Sequence, residues 1–385
     1  MPEKITLKKT ALFQSFFKSE KSGGIVLICC TIISLLLANS SWSESYLSIW
    51  NMNFNDHSIT HWINDGLMAV FFLMIGLELE REVYVGELSS FRSALFPAIC
   101  ALGGVLLPAG IFAMLNAGTQ TAAGAGIPMA TDIAFAIGIL SLFGNRVPHA
   151  LKVFLTALAV IDDLMAIMVI SIFYTDTISM PYLLGATGIF GILLIMNRTR
   201  IFKTWPYLLG GCALWYMLLH SGIHASIAGV LLAFAIPFGD GSPESISYKL
   251  QKRLHIPVTM IILPLFALAN TCIQIQPELI GSVNSSLGWG IILGLVLGKP
   301  IGISLAAWIS QRFNWTDIPE ELNWKAIIGA GMLGGIGFTM SIFIALLAFD
   351  QSTFIDVSKI SVLIASLLAG LLGGLFLSFV LPKIN

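Results

Sequence analysis

The sequence predicts an all-α polytopic membrane protein of about twelve transmembrane helices, two of them broken in mid-span, with a short external β-hairpin. Three observations carry this expectation. Of the 385 residues 56% are hydrophobic and 11% charged, and the mean hydropathy is +0.88, whereas soluble domains carry about 25% charged residues. Apolar runs recur at the length of about 20 residues that crosses about 30 Å of hydrocarbon. One pattern also occurs twice: GVLLPAGIF (Gly104–Phe112) and LVLGKPIGIS (Leu295–Ser304) align on Pro108/Pro300, Gly110/Gly302 and Ile111/Ile303, with Lys299 standing where the first copy has Leu107.

In chain order, Lys4, Lys8, Lys9, Lys18 and Lys21 precede the apolar run Gly23–Asn39. A cleaved signal peptide ending near Ala38 is disfavoured, because its charged region is too long and its apolar run approaches spanning length. Residues 41–62 alternate aromatic or apolar with polar (Tyr46, Leu47, Ile49, Trp50, Ile59, Trp62) around Asn53 and Asn55, a pattern that fits either a β-hairpin at 45–62 outside the bilayer or an ordinary loop. Further spans are expected at 64–82, 93–115, 121–143, 149–174, 181–197, 205–219, 222–238, 256–272, 288–310, 325–349 and 356–381. The five cysteines all fall in apolar runs without metal-ligand spacing and are read as small core residues. A net charge of −1 gives no reason to expect a nucleic-acid partner.

Charge position sets orientation. Arg and Lys occur in the N-terminal arm and in alternate connections (Arg81/Arg92, Arg146/Lys152, Arg198/Arg200/Lys203, Lys249/Lys252/Arg253, Arg312/Lys325, Lys383), while the intervening loops hold none except Lys359. The positive-inside rule then places both termini in the cytoplasm. Among the charges inside predicted spans, Asp162 and Asp163 in ALAVIDDLMAIMVISIFY (Ala157–Tyr174) and Lys299, the one basic residue deep inside a span, need a reason. Each intramembrane Asp costs roughly 2.5–3.5 kcal/mol even on the lower scales, so the pair is a functional-site expectation.

The spans after each copy of the repeat, AGAGIPMATDIAFAIG (Ala123–Gly138) and GAGMLGGIGFTMSIF (Gly329–Phe343), are interrupted by Gly, Pro and hydroxyl residues. Because the third and tenth spans cross in opposite directions, spans 3–5 and 10–12 form an inverted repeat over 93–174 and 288–381, inside one transporter domain of 1–385 whose residues 1–22 are a cytoplasmic arm. Paired broken helices point to a midplane binding site. A helix broken there leaves unpaired N–H groups at one half-helix end and C=O groups at the other, each end carrying about half a unit charge. Asp132, directly after Thr131, is placed to offset facing positive ends or to ligate a cation, and Lys299 to offset the negative ends.

Adjacent residues on a helix point about 100° apart, so Asp162 and Asp163 divide their work. One lines a cation site while the other pairs with Lys299, which would otherwise be an unpaired buried charge. Desolvation and a like-charged neighbour both disfavour the ionised form of such a carboxylate, so proton and cation compete for one site. That competition, with alternating access, suffices for exchange.

At this point the motifs are recognisable. AVIDDLMAI, MATDIAFAIGIL followed by GNRVP, NDGLMAVFF with GLELERE, HSGIHASIAGV, ILPLFALAN, LGKPIGISL and GGIGFTMSIFIALLAF together resemble the NhaA family of sodium/proton antiporters, in order, from about Gly23 to the last span. The resemblance implies an inner-membrane electrogenic antiporter that exports Na+ or Li+ against protons, regulates intracellular pH and sodium, is no enzyme and carries no cofactor. It makes Asp163 the primary cation carboxylate and Asp162 the second acid, paired with Lys299 in one state. Protons ride either on both carboxylates or on Asp162 with Lys299. Thr131, Asp132 and Gly337 match the broken-helix crossing, and the segment 46–62 matches a hairpin contributing to a homodimer.

The resemblance also implies a pH-responsive cluster at the cytoplasmic funnel, here Glu78, Arg81, Glu82, Lys249 and His255. Two positions depart from the familiar pattern: Glu80 stands where a Lys is usual, and Gln251 replaces an acid with Lys252 following in place of a His, which implies a shifted or shallower pH profile. His224 also matches, but beside a helix start it reads as a hydrogen-bonded structural residue. Other classes fit less well. An intramembrane aspartyl protease needs its acids on separate helices. A rhomboid-like protease needs a GxSG elbow, a channel would use rings of acids, and a primary pump needs an ATP-binding loop. A symporter on the same plan is the nearer rival.

Overall fold

The computed structural model describes residues 20–54, 57–174, 178–316, 318–319 and 322–382. Lys4, Lys8, Lys9 and Lys18 of the N-terminal arm, Asn55 and Lys383 lie outside the described residues. The chain is almost entirely helical: α1 (Glu20–Ala38), α2 (Ser43–Asn51), α3 (Ile59–Tyr84), α4 (Phe91–Asn116), α5 (Ile133–Ser141), α6 (His149–Phe173), α7 (Met180–Arg198), α8 (Thr204–Leu219), α9 (Ile227–Ala235), α10 (Ile246–Asn270), α11 (Pro277–Val283), α12 (Ser286–Arg312), α13 (Trp324–Gly334), α14 (Phe338–Ala348) and α15 (Ser352–Val380). Among the described residues eight helices are long and apolar enough to cross a membrane, or ten if two bent pairs each count as one span.

Several helices differ from the expected elements for identifiable reasons. The stretch expected to be a hairpin is helical over most of its length: 46–51 belong to α2, and Ile59 and Trp62 open α3. Strand pairing is confined to Asn53–Phe54 against His57–Ser58, antiparallel. The spacing of Tyr46 and Trp50 suits one helix face as well as a strand, and their rings pack edge to face at 5.8 Å. In 222–238 only nine residues are helical, because Gly222 adopts φ +86° before them. α10 begins ten residues before its apolar run, so Lys249, Lys252 and Arg253 sit on a helix rather than in a connection. Ser245 caps that start by accepting from the Tyr248 N–H. Lys359, read as a loop residue, lies inside α15. Of the five cysteines Cys100 alone is fully buried, whereas Cys29 and Cys212 are exposed; in an all-round apolar helix, hydrophobicity does not tell which face points inward.

Two spans are broken. Residues Ala122–Met129 form a tight 3-10 helix, the chain runs extended through Ala130, and α5 starts after Asp132. Gly124, Gly126 and Pro128 explain the break, since Gly raises the entropy cost of a helix and Pro lacks an N–H. In the second, α13 and α14 meet at 46° across Gly335–Gly337. The two copies of the repeated pattern, α4 and α12, pack against each other and run antiparallel. A Cβ on Gly302 would stand 2.2 Å from the Gly103 carbonyl oxygen, one on Gly298 3.0 Å from Pro108 Cα, and one on Gly290 2.8 Å from Phe112 Cδ2, so α4 ascends as α12 descends. Glycines at 103, 298 and 302 therefore set the approach of these backbones, as small residues do between membrane helices.

This packing gives a test. Gly302→Ala overpacks the crossing and is expected to destabilise the protein by about 1–3 kcal/mol, read as a lower melting temperature in detergent. Gly110→Ala, where an added Cβ meets nothing within 4 Å, should melt as the wild type.

Candidate functional site

The two breaks face each other. The Asp132 N–H donates to the Ile336 carbonyl oxygen at 2.6 Å, joining the extended piece of one broken span to that of the other. Asp132 then caps both downstream half-helices. Its Oδ1 accepts from the Phe135 N–H at 3.0 Å, in the first turn of α5. Its Oδ2 accepts from the Thr339 N–H at 3.1 Å and from the Thr339 hydroxyl, in the first turn of α14. One carboxylate thus meets the positive ends of two helices, where a negative charge is stabilised. Gly337 precedes α14, and a Cβ there would stand 2.1 Å from Ser341 Oγ. That hydroxyl donates to the Ile127 carbonyl oxygen at 2.6 Å, so it meets an orphan acceptor on the first broken span.

Thr131 stands one residue before the double cap and joins it to the charged residues. Lys299 Nζ and Asp162 Oδ2 form an ion pair. Thr131 Oγ1 lies 2.9 Å from Lys299 Nζ, 2.7 Å from Asp162 Oδ2 and 2.8 Å from the Gly334 carbonyl oxygen. A hydroxyl has one proton, so it accepts from the lysine and donates to one of the two oxygens at a time. Gly334 ends α13, so this hydroxyl and the ammonium stand at a helix C-terminus. Lys299 is fully buried and directly follows a π-helical turn, Gly294–Gly298, within α12. Such turns occur often at functional sites.

Asp163 is buried with both carboxylate oxygens lacking a hydrogen-bond partner among the described residues, and Asp162 Oδ1 lacks one too. Three carboxylate oxygens on adjacent residues of α6 are thus without a partner among the described residues, and hard oxygens of this kind suit a proton or a small hard cation and no soft metal. Among the described residues no group of three His, Cys, Asp or Glu converges on a metal-ion site.

The pH-response candidates separate. Glu78 and His255 line one cavity of about 130 Å³ with Phe71, Met74, Ile133 and Thr259, reaching the residue next to Asp132. Arg81 lies with its guanidinium 4.7 Å from the centre of the Tyr248 ring, a cation–π contact between α3 and α10. Glu82 is half-buried at the end of α3. Lys249 lies at a different cleft, beside Thr204 and Arg253, and bonds Glu244 at 2.5 Å. This amine holds the exposed Glu244 carboxyl below its ordinary range. His224, expected to be hydrogen-bonded, has its Nε2 buried without a partner among the described residues.

Sequence reasoning missed Thr339, Ser341 and Ser366 as individual contributors. The Ser366 hydroxyl accepts from the Phe338 N–H at 3.0 Å. Serines are frequent in apolar helices, where each can bond its own preceding turn, so only the broken span opposite gives a signal. Glu80, noted only as a departure, is 5% exposed and 3.4 Å from Ser247 Oγ on α10.

The comparisons with known proteins agree on one family. The family described as Na+/H+ antiporter 1 matches residues 14–377. The Na+/H+ antiporter NhaA of Cytophaga hutchinsonii is 57% identical over 98% of this chain and 97% of its own. That of Flavobacterium psychrophilum is 56% identical over 98% of both chains, and that of Dechloromonas aromatica 55% over 97% of both. With the match spanning nearly the whole chain, the protein belongs to the Na+/H+ antiporter 1 family.

Proposed function

We propose that the protein is an electrogenic secondary antiporter that exports Na+ or Li+ in exchange for protons. The observation that carries the reading is the fully buried Asp163, unpartnered among the described residues beside an Asp162 already neutralised by Lys299, at the crossing of two broken helices. A buried unpaired carboxylate is costly, and either a proton or a cation can neutralise it, but not both at once. Cation binding therefore expels the proton, and alternating access turns this competition into exchange. The Asp162–Lys299 pair adds a second place to hold a proton, which rides either on both carboxylates or on Asp162 with Lys299. Carrying more than one proton per cation makes the cycle sensitive to membrane potential.

In this reading the helices make about twelve spans, with 93–174 and 288–381 as an inverted-repeat core in a single domain of 1–385. The cavity at Glu78 and His255 is the inner funnel. Both termini lie in the cytoplasm and the bilayer is the inner membrane. The segment 45–62 faces outward and contributes to a homodimer. Glu78, Arg81, Glu82, Lys249 and His255 respond to pH, Thr131, Asp132, Lys299 and Gly337 hold the crossing, and Na+, Li+ and H+ are substrates with no cofactor involved. The cellular role is control of internal pH and sodium. A symporter on the same plan is the second reading, and an unpartnered carboxylate that both ions need favours exchange over cotransport.

The experiment is Na+-induced collapse of a pre-formed pH gradient in proteoliposomes, with K+ as control and membrane potential clamped or free. Proton release on Na+ addition, faster with a favourable potential, is expected, and Na+ entry without counter-movement of protons would mean symport or a channel. Asp163→Asn should abolish exchange with the melting temperature kept or raised, because it removes a buried charge and little volume. Lys299→Ala is expected to lower stability by about 3–5 kcal/mol, since it leaves Asp162 as an uncompensated buried charge. Lys299→Ala combined with Asp162→Ala should recover part of that loss in thermal melting.

A further inference from the structure

α15 brings no charge to the crossing, yet it touches both broken spans. A Cβ on Gly370 would stand 3.0 Å from Ile139 Cδ1 of α5, one on Gly373 2.9 Å from Leu333 Cδ2 of α13, and one on Gly329 of α13 2.4 Å from Leu377 Cδ2 of α15. At the far end Arg146, in the turn after α5, donates to the Ser378 carbonyl oxygen in the last turn of α15 and to those of Leu381 and Pro382 just beyond it, at 2.9–3.0 Å. Among these contacts Ser366 differs in kind, because it meets a backbone group at the break itself.

Phe338 and Thr339 open α14, and their N–H groups are orphans of a helix start inside an apolar bundle. The Thr339 N–H goes to Asp132, and the Phe338 N–H goes to Ser366 Oγ at 3.0 Å. Both sides of the second bond are buried, Ser366 at 5% exposure and Phe338 at 2%. Without that hydroxyl the acceptor seated at this helix end is Asp132, which already receives the Phe135 N–H, the Thr339 N–H and the Thr339 hydroxyl. A further donor would draw the carboxylate toward α14 and away from α5. Thr131, bonded to its neighbour Asp132 through the chain and to Asp162 and Lys299 through its hydroxyl, would move with it.

We propose that Ser366 is a positioning residue for cation binding: by holding the Phe338 N–H it leaves Asp132 shared between two helix starts and fixes Thr131 against the Asp162–Lys299 pair. This rests on the reading that the α6 carboxylates bind the transported cation. Ser366 touches neither carboxylate and acts through α14 and Asp132.

The test compares Ser366→Ala, Ser366→Thr and Ser361→Ala in the full-length protein. Ser361 lies on the same helix and its hydroxyl donates to the Val357 carbonyl oxygen of its own preceding turn, so its loss is the control. Ser366→Ala is expected to raise the Na+ concentration for half-maximal proton flux about ten-fold, equivalent to about 1.4 kcal/mol, because the Phe338 N–H then turns to Asp132 and draws Thr131 from the Asp162–Lys299 pair. Its maximal rate should stay within about two-fold of wild type. Ser366→Thr, which keeps the acceptor, should restore the half-saturating concentration, and Ser361→Ala should leave it unchanged. An unshifted Na+ dependence in Ser366→Ala would overturn the proposal, as would a loss of maximal rate and melting temperature that threonine does not restore. If Ser366→Ala is not recovered folded, Ser366→Cys carries the same comparison with a weaker acceptor. Stabilisation of each variant by Na+ in thermal melts is read in parallel and needs no transport. A wild type that Na+ stabilises but that moves no protons would refute the antiport reading and leave this one standing, whereas equal Na+ stabilisation of Ser366→Ala and wild type would refute this one.

Discussion

The ion pair between Lys299 and Asp162 is the contact on which the rest of the structure depends. Taking either charge out of water costs several kcal/mol, and their mutual attraction repays this only when the remaining bonding capacity is also met. Thr131 meets part of it from the first broken span, and the Gly334 carbonyl, within reach of the same hydroxyl, brings in the second. α4 and α12 must approach closely for Lys299 to reach that point, which is why glycines rather than larger residues stand at 103, 298 and 302. The backbone breaks follow from the same constraint. In hydrocarbon an interrupted helix is tolerated only where its freed N–H and C=O groups find partners in protein, and Asp132, Ser341, Thr131 and Ser366 are those partners.

The parts of this arrangement legible in the sequence were those carried by charge and by backbone-breaking residues. Asp132, Asp162, Asp163 and Lys299 stand out because a charge in an apolar run has few reasons to be there. The breaks stand out because Gly and Pro cluster at corresponding places in two halves. The helices whose side chains are apolar all round gave no such signal: α8 is found where expected, but which face of it is inward, and hence that Cys212 is exposed, cannot be read from composition. Periodicity also failed at 46–51, where two aromatics four apart fit a strand with alternate residues or a helix with one face, and packing of Tyr46 on Trp50 decides for the helix. The hydroxyls at 339, 341 and 366 were silent individually. A serine in an apolar helix becomes informative only when the opposing backbone lacks a partner, and that is a tertiary fact.

The arrangement separates two demands that a single carboxylate could not meet. A group that fixes the geometry of the crossing must stay bonded, and a group that exchanges proton for cation must be free to lose its partner. Asp132, with three donors spread over two helix starts, meets the first demand. Asp163, with none among the described residues, has no such bond to lose. Asp162 lies between them, with one oxygen bonded to Lys299 and Thr131 and the other without a partner among the described residues. The gradient from fully bonded to unbonded runs over residues of two helices and is fixed by which orphan backbone groups each carboxylate can reach.

Cooperation between distant charges follows from the same geometry without any need for a long-range field. Asp132 and Asp162 never touch, yet Thr131 is covalently joined to one and hydrogen-bonded to the other. A shift of either broken span therefore changes how Thr131 Oγ1 divides its single proton between Asp162 and the Gly334 carbonyl. When it donates to Asp162, the carboxylate keeps two partners and Lys299 stays paired. When it donates to Gly334, Asp162 depends on Lys299 alone. One hydroxyl at a helix break thus joins both broken helices to the buried ion pair.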